Sequence, residues 1–400
     1  MPANKTRTHV DDLRGASRLA VEATKNVTDL VQAMHVTIAG GPDILGRPLE
    51  GPVRFVTGIV YGSIRGVTKL VGSGIDIALE QLAPLLGESV PGPERAAVLA
   101  ALNGVLGDYL AESGNPLATE MRLCKGGVPL DLERDALRDA LPGAGAKLLV
   151  MVHGSSMNDE QWNWRGHDHG AALEADLGYT AVYLRYNSGL HISTNGRAFA
   201  AMLEQLVGAW PVPLEDFVIV GHSMGGLVAR SACHAGDEAC HEWRRRLRKL
   251  VCVGSPHHGA PLERGGSVLE LLLGISRYSA PFKRLARLRS AGVTDMRYGI
   301  VEDAHWAGRD RFAYAKDPRD VLRLPDGVEC YAIAGTMSPS PSPKLRSDGL
   351  VPVESALGRN EKATLTLAFP ETHQWIGFGI GHLDLLNRSE VYETLASWLR

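Results

Sequence analysis

The hydrophobic positions of this chain change their period part-way along. Up to about residue 115 they recur every three or four residues. Leu19, Ala23, Val27, Leu30, Val31, Met34 and Ile38 form one such stripe, which predicts an amphipathic helix. Gly40, Gly41 and Pro42 end it. A second helical run covers 53–86, with Val56, Ile59, Val60, Ile64, Val67, Leu70, Val71 and Ile75 on a broad face. After Pro91, Gly92 and Pro93 a third helix is predicted over about 94–111. Beyond about residue 118 short apolar runs alternate with helical ones. TEMRLC and VPLDL predict a leading hairpin. Strands follow at 147–154, 179–187, 216–223, 248–259, 328–337 and 363–369. Helices are predicted over about 160–177, 196–210, 224–234 and 389–400, and 261–325 reads as mostly helical and charged.

Strands that are apolar on both faces and separated by helices predict an α/β fold, a mostly parallel sheet with helices on both sides. The expected organisation is an N-terminal helical region, 1–115, and an α/β domain, 116–400. The stretch 261–325, with its Leu269–Leu273 run, is a candidate lid over the carboxyl edge of the sheet, its alternative being ordinary helical packing.

Within the second helical run Gly58, Gly62 and Gly66 stack on one face, a ridge that lets helices approach closely. Arg54, Arg65, Lys69, Asp76 and Glu80 interrupt it, so the run is no clean membrane span. Packing on the main domain, self-association and contact with a membrane surface through residues 1–115 are the readings it supports. The net charge of -3 offers no electrostatic footprint for nucleic acid, and Arg244–Arg246 reads as a solvated helix face. Five scattered cysteines without a C-x-x-C pair predict neither a disulfide framework nor a metal site. Cys233 and Cys240 could bridge or lie apart on a helix and its turn. The polar start MPANKTRTHVDDLRG shows no apolar signal segment, which points to the cytoplasm, with membrane association left open.

FVIVGHSMGGLVAR, 217–230, carries the chemistry. A buried-looking strand runs into Gly221-His222-Ser223-Met224-Gly225 and then into a helix. In that setting a G-x-S-x-G pattern reads as a nucleophile elbow, with Ser223 exposed on a strained turn at a helix N-terminus. A serine hydroxyl needs a base, and the base needs an orienting acid. Along this architecture they come in the order Ser, acid, His. Asp348 in RSDGLVP and His382 in IGHLDLL stand after the last two predicted strands in that order. His373 and Asp384 are the weaker rivals. The amides of Met224 and Ser155 are the expected oxyanion donors. His153, Asn187, His191, His257 and His258 fall on loops at the same edge, as substrate-lining or loop-structuring residues.

VHGSS, GHSMGG, GSPHHGAPLER, SDGLVP and GHLDLL together resemble the α/β-hydrolases of the lipase/esterase group, in particular its bacterial-lipase-like and GPI-inositol-deacylase-like branches. The resemblance runs from about residue 118 to the end and does not reach the N-terminal helices. It implies Ser223, Asp348 and His382 as a triad acting on an ester of a small molecule or lipid, with no metal and no organic cofactor. Acyl transfer or thioester hydrolysis by the same triad is the alternative chemistry. The alternative of another class is a membrane-associating scaffold whose hydrolase domain does no chemistry.

Overall fold

The computed structural model describes residues 93–260, 290–309, 317–319, 323–342 and 346–400. The first two predicted helices, the Gly58/Gly62/Gly66 ridge and the Leu269–Leu273 run lie outside these residues. The third predicted helix is present as α1, Pro93–Glu112. A hairpin of β1 (Arg122–Lys125) and β2 (Val128–Pro129) follows. Helix α2 (Arg134–Ala140) leads into β3 (Lys147–Val152). Then come α3 (His169–Leu177), β4 (Thr180–Arg185), α4 (Ile192–Ala209) and β5 (Asp216–His222). Helix α5 (Met224–Glu238), the short α6 (Glu242–Arg246) and β6 (Lys249–Val253) complete the middle of the chain. Helix α7 (Ala291–Asp295), β7 (Glu329–Thr336), α8 (Val353–Ala356), β8 (Gln374–Phe378) and α9 (Ser389–Leu399) close it.

Among the described residues the strands form one sheet in the order β2-β1-β4-β3-β5-β6-β7-β8. The hairpin is antiparallel, and every pair from β4 to β8 is parallel. The period of two in a strand splits its side chains between the two faces. Leu148, Val150 and Val152 of β3, with Phe217 and Ile219 of β5, enter one core, against Phe199 and Leu203 of α4 and Leu227 of α5. Leu149, Met151, Val218 and Val220 enter the other, against Leu173 of α3 and Val391, Leu395 and Leu399 of α9. Helix α1 also joins the first core through Leu102, Val105 and Leu110.

Three local expectations are corrected. The helix predicted over 160–177 is broken. A one-turn helix at Asp159–Trp162 is capped by Asn158, and α3 starts only at His169 with Asp168 as its cap. Between them Arg165 and Gly166 adopt positive φ and turn the chain back, pairing Trp164 with His167. The strand predicted over 363–369 is absent. Its alternation is real, since Leu365, Leu367 and Phe369 are buried, but Leu367 N–H donates to Gly358 rather than to a ladder. The strand that pairs with β7 is Gln374–Phe378. Arg244 is not on a solvated face: it is buried and paired with Asp237 at 3.0 Å, while Arg245 and Arg246 are exposed. The described part of 261–325 holds only α7 and a turn at Asp303–His305. Cys233 and Cys240 are free thiols, one buried and one exposed.

Candidate active site

The strand order reverses at β3, which has β4 on one side and β5 on the other. Loops leaving the carboxyl ends of β3, β5, β6, β7 and β8 therefore meet over one crevice, where open α/β sheets bind ligands. The register pairs Val152 with Gly221 and Gly221 with Cys252, which brings the turns after β3 and β6 alongside residue 223.

Ser223 lies between β5 and α5 with φ 54 and ψ -123, a left-handed φ in a residue with a side chain. Such a conformation costs about 1–3 kcal/mol and is held by its surroundings. Ser223 N–H donates to Val253 O at 2.8 Å, and Ser223 O accepts from Gly226 N–H at 3.2 Å. The flanking glycines are required by contact. A Cβ at Gly221 would lie 2.5 Å from Gly226 N, and one at Gly225 would lie 2.1 Å from Val152 O.

Asp348 follows β7 and His382 follows β8. His382 Nδ1–H donates to Asp348 Oδ2 at 2.7 Å, and both side chains are almost wholly buried. The other carboxylate oxygen, Oδ1, accepts the N–H groups of Leu350 and Val351 at 2.9 and 2.8 Å. His382 N–H donates to Asp348 O at 2.9 Å, so the two loops are tied twice. With the proton on Nδ1, Nε2 is a bare lone pair, buried and without a partner. The ring lies beside the serine turn: its Cε1 and Nδ1 are 3.4 Å from where a Cβ on Gly254 would stand, next to Val253.

Two backbone donors near the serine are without an acceptor among the described residues. Met224 N–H, the first of α5, meets no acceptor among the described residues. In the turn after β3, Ser156 N–H donates to Ser188 Oγ at 2.9 Å. Ser155 N–H has no such acceptor. A Cβ on Gly154 would stand 3.1 Å from Ser223 Cβ, so this turn lies directly against the serine.

The rivals are occupied elsewhere. Asp384 pairs with Arg165 at 3.2 Å and accepts from Gly381 N–H. His373 lies just before β8, stacks on Tyr331 and reaches Cys330 O with Nδ1 at 3.1 Å, at the far end of the sheet. His222 points its Nε2 to His382 O at 3.2 Å, and burial holds its pKa well below the ordinary value.

The remaining residues singled out from the sequence serve the loops in this structure. His153 is fully buried, donates from Nδ1 to Gly154 O at 2.8 Å and stacks on Tyr186, whose hydroxyl donates to His153 O at 2.9 Å. Burial lowers its pKa to about 4. Asn187 Nδ2 donates to Gly107 O at 2.8 Å, and its Oδ1 accepts from Gly189 N–H. His191 Nδ1 donates to Asp295 at 3.0 Å and its ring stacks on Trp306 at 3.7 Å. His257 Nδ1 accepts from the buried Arg230 at 3.2 Å. His258 N–H donates to Ser355 Oγ at 3.0 Å. Tyr186, Ser188 and Arg230 organise these loops, and sequence reasoning missed them. Position after a strand was a signal for Tyr186 and Ser188; Arg230, mid-helix, had none. Among the described residues no cluster of three His, Cys, Asp or Glu side chains has the placement of metal ligands. No helix of these residues is long and apolar enough to cross a membrane.

Residues 200–307 match the family model of the PGAP1-like alpha/beta domain. No curated protein matches the chain. Among solved structures, it is similar to the mature Bacillus licheniformis lipase BlEst2, with 15% identity and a TM-score of 0.42 over 70% of this chain and 98% of that one. The type II thioesterase BorB of the borrelidin biosynthetic cluster gives 19% identity and 0.37 over 64% and 93%. Phospholipase PlaB from Legionella pneumophila gives 15% and 0.33 over 52% and 45%. These scores are too low to carry an argument about the fold, which rests on the strand order, the serine turn and the family match. The strand order and the serine turn are those of an α/β-hydrolase-like fold, and within it residues 200–307 resemble the PGAP1-like alpha/beta domain.

Proposed function

We propose that the protein is a serine-dependent carboxylic-ester hydrolase with Ser223 as nucleophile, His382 as base and Asp348 as the orienting acid. One observation carries the reading. A strained serine on a strand-to-helix turn sits beside a histidine whose Nδ1–H is held by a buried carboxylate and whose Nε2 has no partner. A lone pair kept free at Nε2 is what a base for the serine proton needs.

In this reading Ser223 Oγ attacks the acyl carbonyl as His382 Nε2 takes its proton. The oxyanion is met by Met224 N–H and Ser155 N–H, which need no reorganisation as charge develops. The tetrahedral intermediate expels the alcohol, which leaves with the proton from His382. Water then attacks the acyl-enzyme, again giving its proton to His382. The carboxylic acid departs and Ser223 recovers its proton. Every step uses side chains and amides of this chain.

The test is labelling with a fluorophosphonate and turnover of p-nitrophenyl esters of graded chain length. Wild type is expected to take the label and Ser223→Ala to refuse it while keeping its melting temperature. A folded wild type that neither labels nor turns over any ester would sink the hydrolase reading in favour of a scaffold. Higher kcat/KM on acyl thioesters, or transfer to an added alcohol in preference to water, would redirect it to thioesterase or acyltransferase chemistry. Residues 1–115 are proposed to contact a membrane surface or a second copy of the chain, in support of a lipid ester as substrate. Liposome flotation of the full chain tests this.

A further inference from the structure

Helix α1 lies outside the strand-helix alternation that builds the sheet, yet it touches the turn that presents Ser155. Gly104 is the contact. A Cβ there would stand 2.0 Å from Ser156 Oγ, 2.8 Å from Ser156 Cβ and 2.9 Å from Ser156 Cα. Ser156 has φ 59, so the chain reverses just after Ser155 at a residue that has no room to move towards the helix. The same turn of α1 holds the neighbouring loop. Asn187 Nδ2 donates to Gly107 O at 2.8 Å. A Cβ on Gly189 would stand 2.2 Å from Asn103 O. Between these two lies Ser188, whose Oγ takes the Ser156 N–H and leaves that of Ser155 uncommitted. The helix is itself pinned from the far side by Ser290 Oγ, which donates to Gly104 O at 2.7 Å, and by Ala291 N–H, which donates to Asp108 Oδ2 at 2.9 Å.

We propose that Gly104 of α1 is a positioning residue for the oxyanion turn: the helix fixes where the Ser155 N–H points, directly through Ser156 and indirectly through Ser188. The inference rests on the hydrolase reading above. It adds that part of the N-terminal region is required for the rate of the chemical step. The physical reason is the narrow tolerance of an oxyanion donor. Displacement of a reacting group by about 1 Å costs about 100-fold in rate, and loss of one donor costs about 100- to 1000-fold.

The experiment is Gly104→Ala assayed on a p-nitrophenyl ester well below its melting temperature. The expected result is a fall in kcat of about 10- to 100-fold, with KM changed by less than about twofold and unchanged far-UV circular dichroism. A role in folding alone would lower the melting temperature and leave kcat intact, which would overturn the proposal. Ser156→Gly removes the Oγ and Cβ that the new methyl meets and suits a positive φ. Adding it to Gly104→Ala should restore much of the lost kcat, and absence of any recovery would count against the proposal. If Gly104→Ala does not fold, Ser188→Ala carries the test. It frees the Ser156 N–H, and is expected to lower kcat about tenfold if the turn depends on it; an unchanged kcat would overturn the proposal. A wild type that takes no fluorophosphonate overturns the hydrolase reading and this inference together. A labelled wild type with an unaffected Gly104→Ala overturns this inference alone.

Discussion

The Asp348 carboxylate has no spare oxygen. Oδ1 accepts two backbone N–H groups and Oδ2 accepts from His382 Nδ1. An asparagine in its place must turn its carbonyl to the two backbone donors, which leaves its NH2 facing His382. The imidazole then has to offer Nδ1 as an acceptor and carry its proton on Nε2, where the proposed base needs a lone pair. Asp348→Asn is therefore expected to lower kcat on a p-nitrophenyl ester by about 10,000-fold with little change in melting temperature. Turnover within tenfold of wild type would remove Asp348 from the proposed triad. Ser223→Ala leaves no nucleophile and is expected to cost about 10^6-fold in kcat, read in the same assay. Ser223, Asp348 and His382, the proposed triad, could be picked out as candidates in the sequence because each follows an apolar run in the order such sites use. The engagement of His153, Asn187 and His191 with loop backbone and with Asp295 was not legible. Their distant partners, Tyr186, Gly107 and Asp295, lie 33 to 104 residues away along the chain.

Helix α1 shows what an element contributes beyond its own periodicity. Its spacing predicts a helix over 94–111, and the structure has one at Pro93–Glu112. What it packs against could not be read from that spacing. Leu110 is fully buried in the same core cluster as Val152 of β3 and Met224 of α5. Leu110→Ala is expected to destabilise the protein by about 2–5 kcal/mol, measured as a lower urea midpoint in one cooperative transition. A separate early transition, with the sheet unaffected, would mean that α1 unfolds independently. The two misread elements have different causes, one local and one distant. Arg165 and Gly166 turn the chain inside a helical pattern. The alternating run ATLTLAF buries Leu365, Leu367 and Phe369 without joining the ladder, because QWIGF occupies the edge of β7. Periodicity reports which side chains are buried, and a strand's partner is chosen elsewhere in the chain.

At the scale of the whole molecule, four histidines among the described residues, His153, His169, His222 and His257, are buried in the neutral form. Burial lowers the pKa of His153 and of His169 to about 4 and pushes those of His222 and His257 well below the ordinary value. In the unfolded chain each would titrate near 6.5. Below about pH 6.5 the unfolded state therefore takes up protons that the folded state refuses, and stability falls as pH falls. The loss continues until the folded pKa values are reached, at up to about 1.4 kcal/mol per pH unit for each histidine. Urea unfolding at pH 7.5 and at pH 5.0 should show a clear drop in free energy, and His169→Gln should make the drop smaller. A flat profile between those values would contradict the burial of neutral imidazoles. The sequence alone determined the parallel sheet, the serine turn and the order of the proposed acid and base, because these follow from local period and from the position of a residue after its strand. Tertiary structure alone decided which ring nitrogen carries the proton, which turn amide stays uncommitted, and that α1 stands behind it. Those depend on contacts between segments far apart in the chain, such as Gly104 against Ser156 and Asp348 against His382, and no local pattern encodes the distance between them.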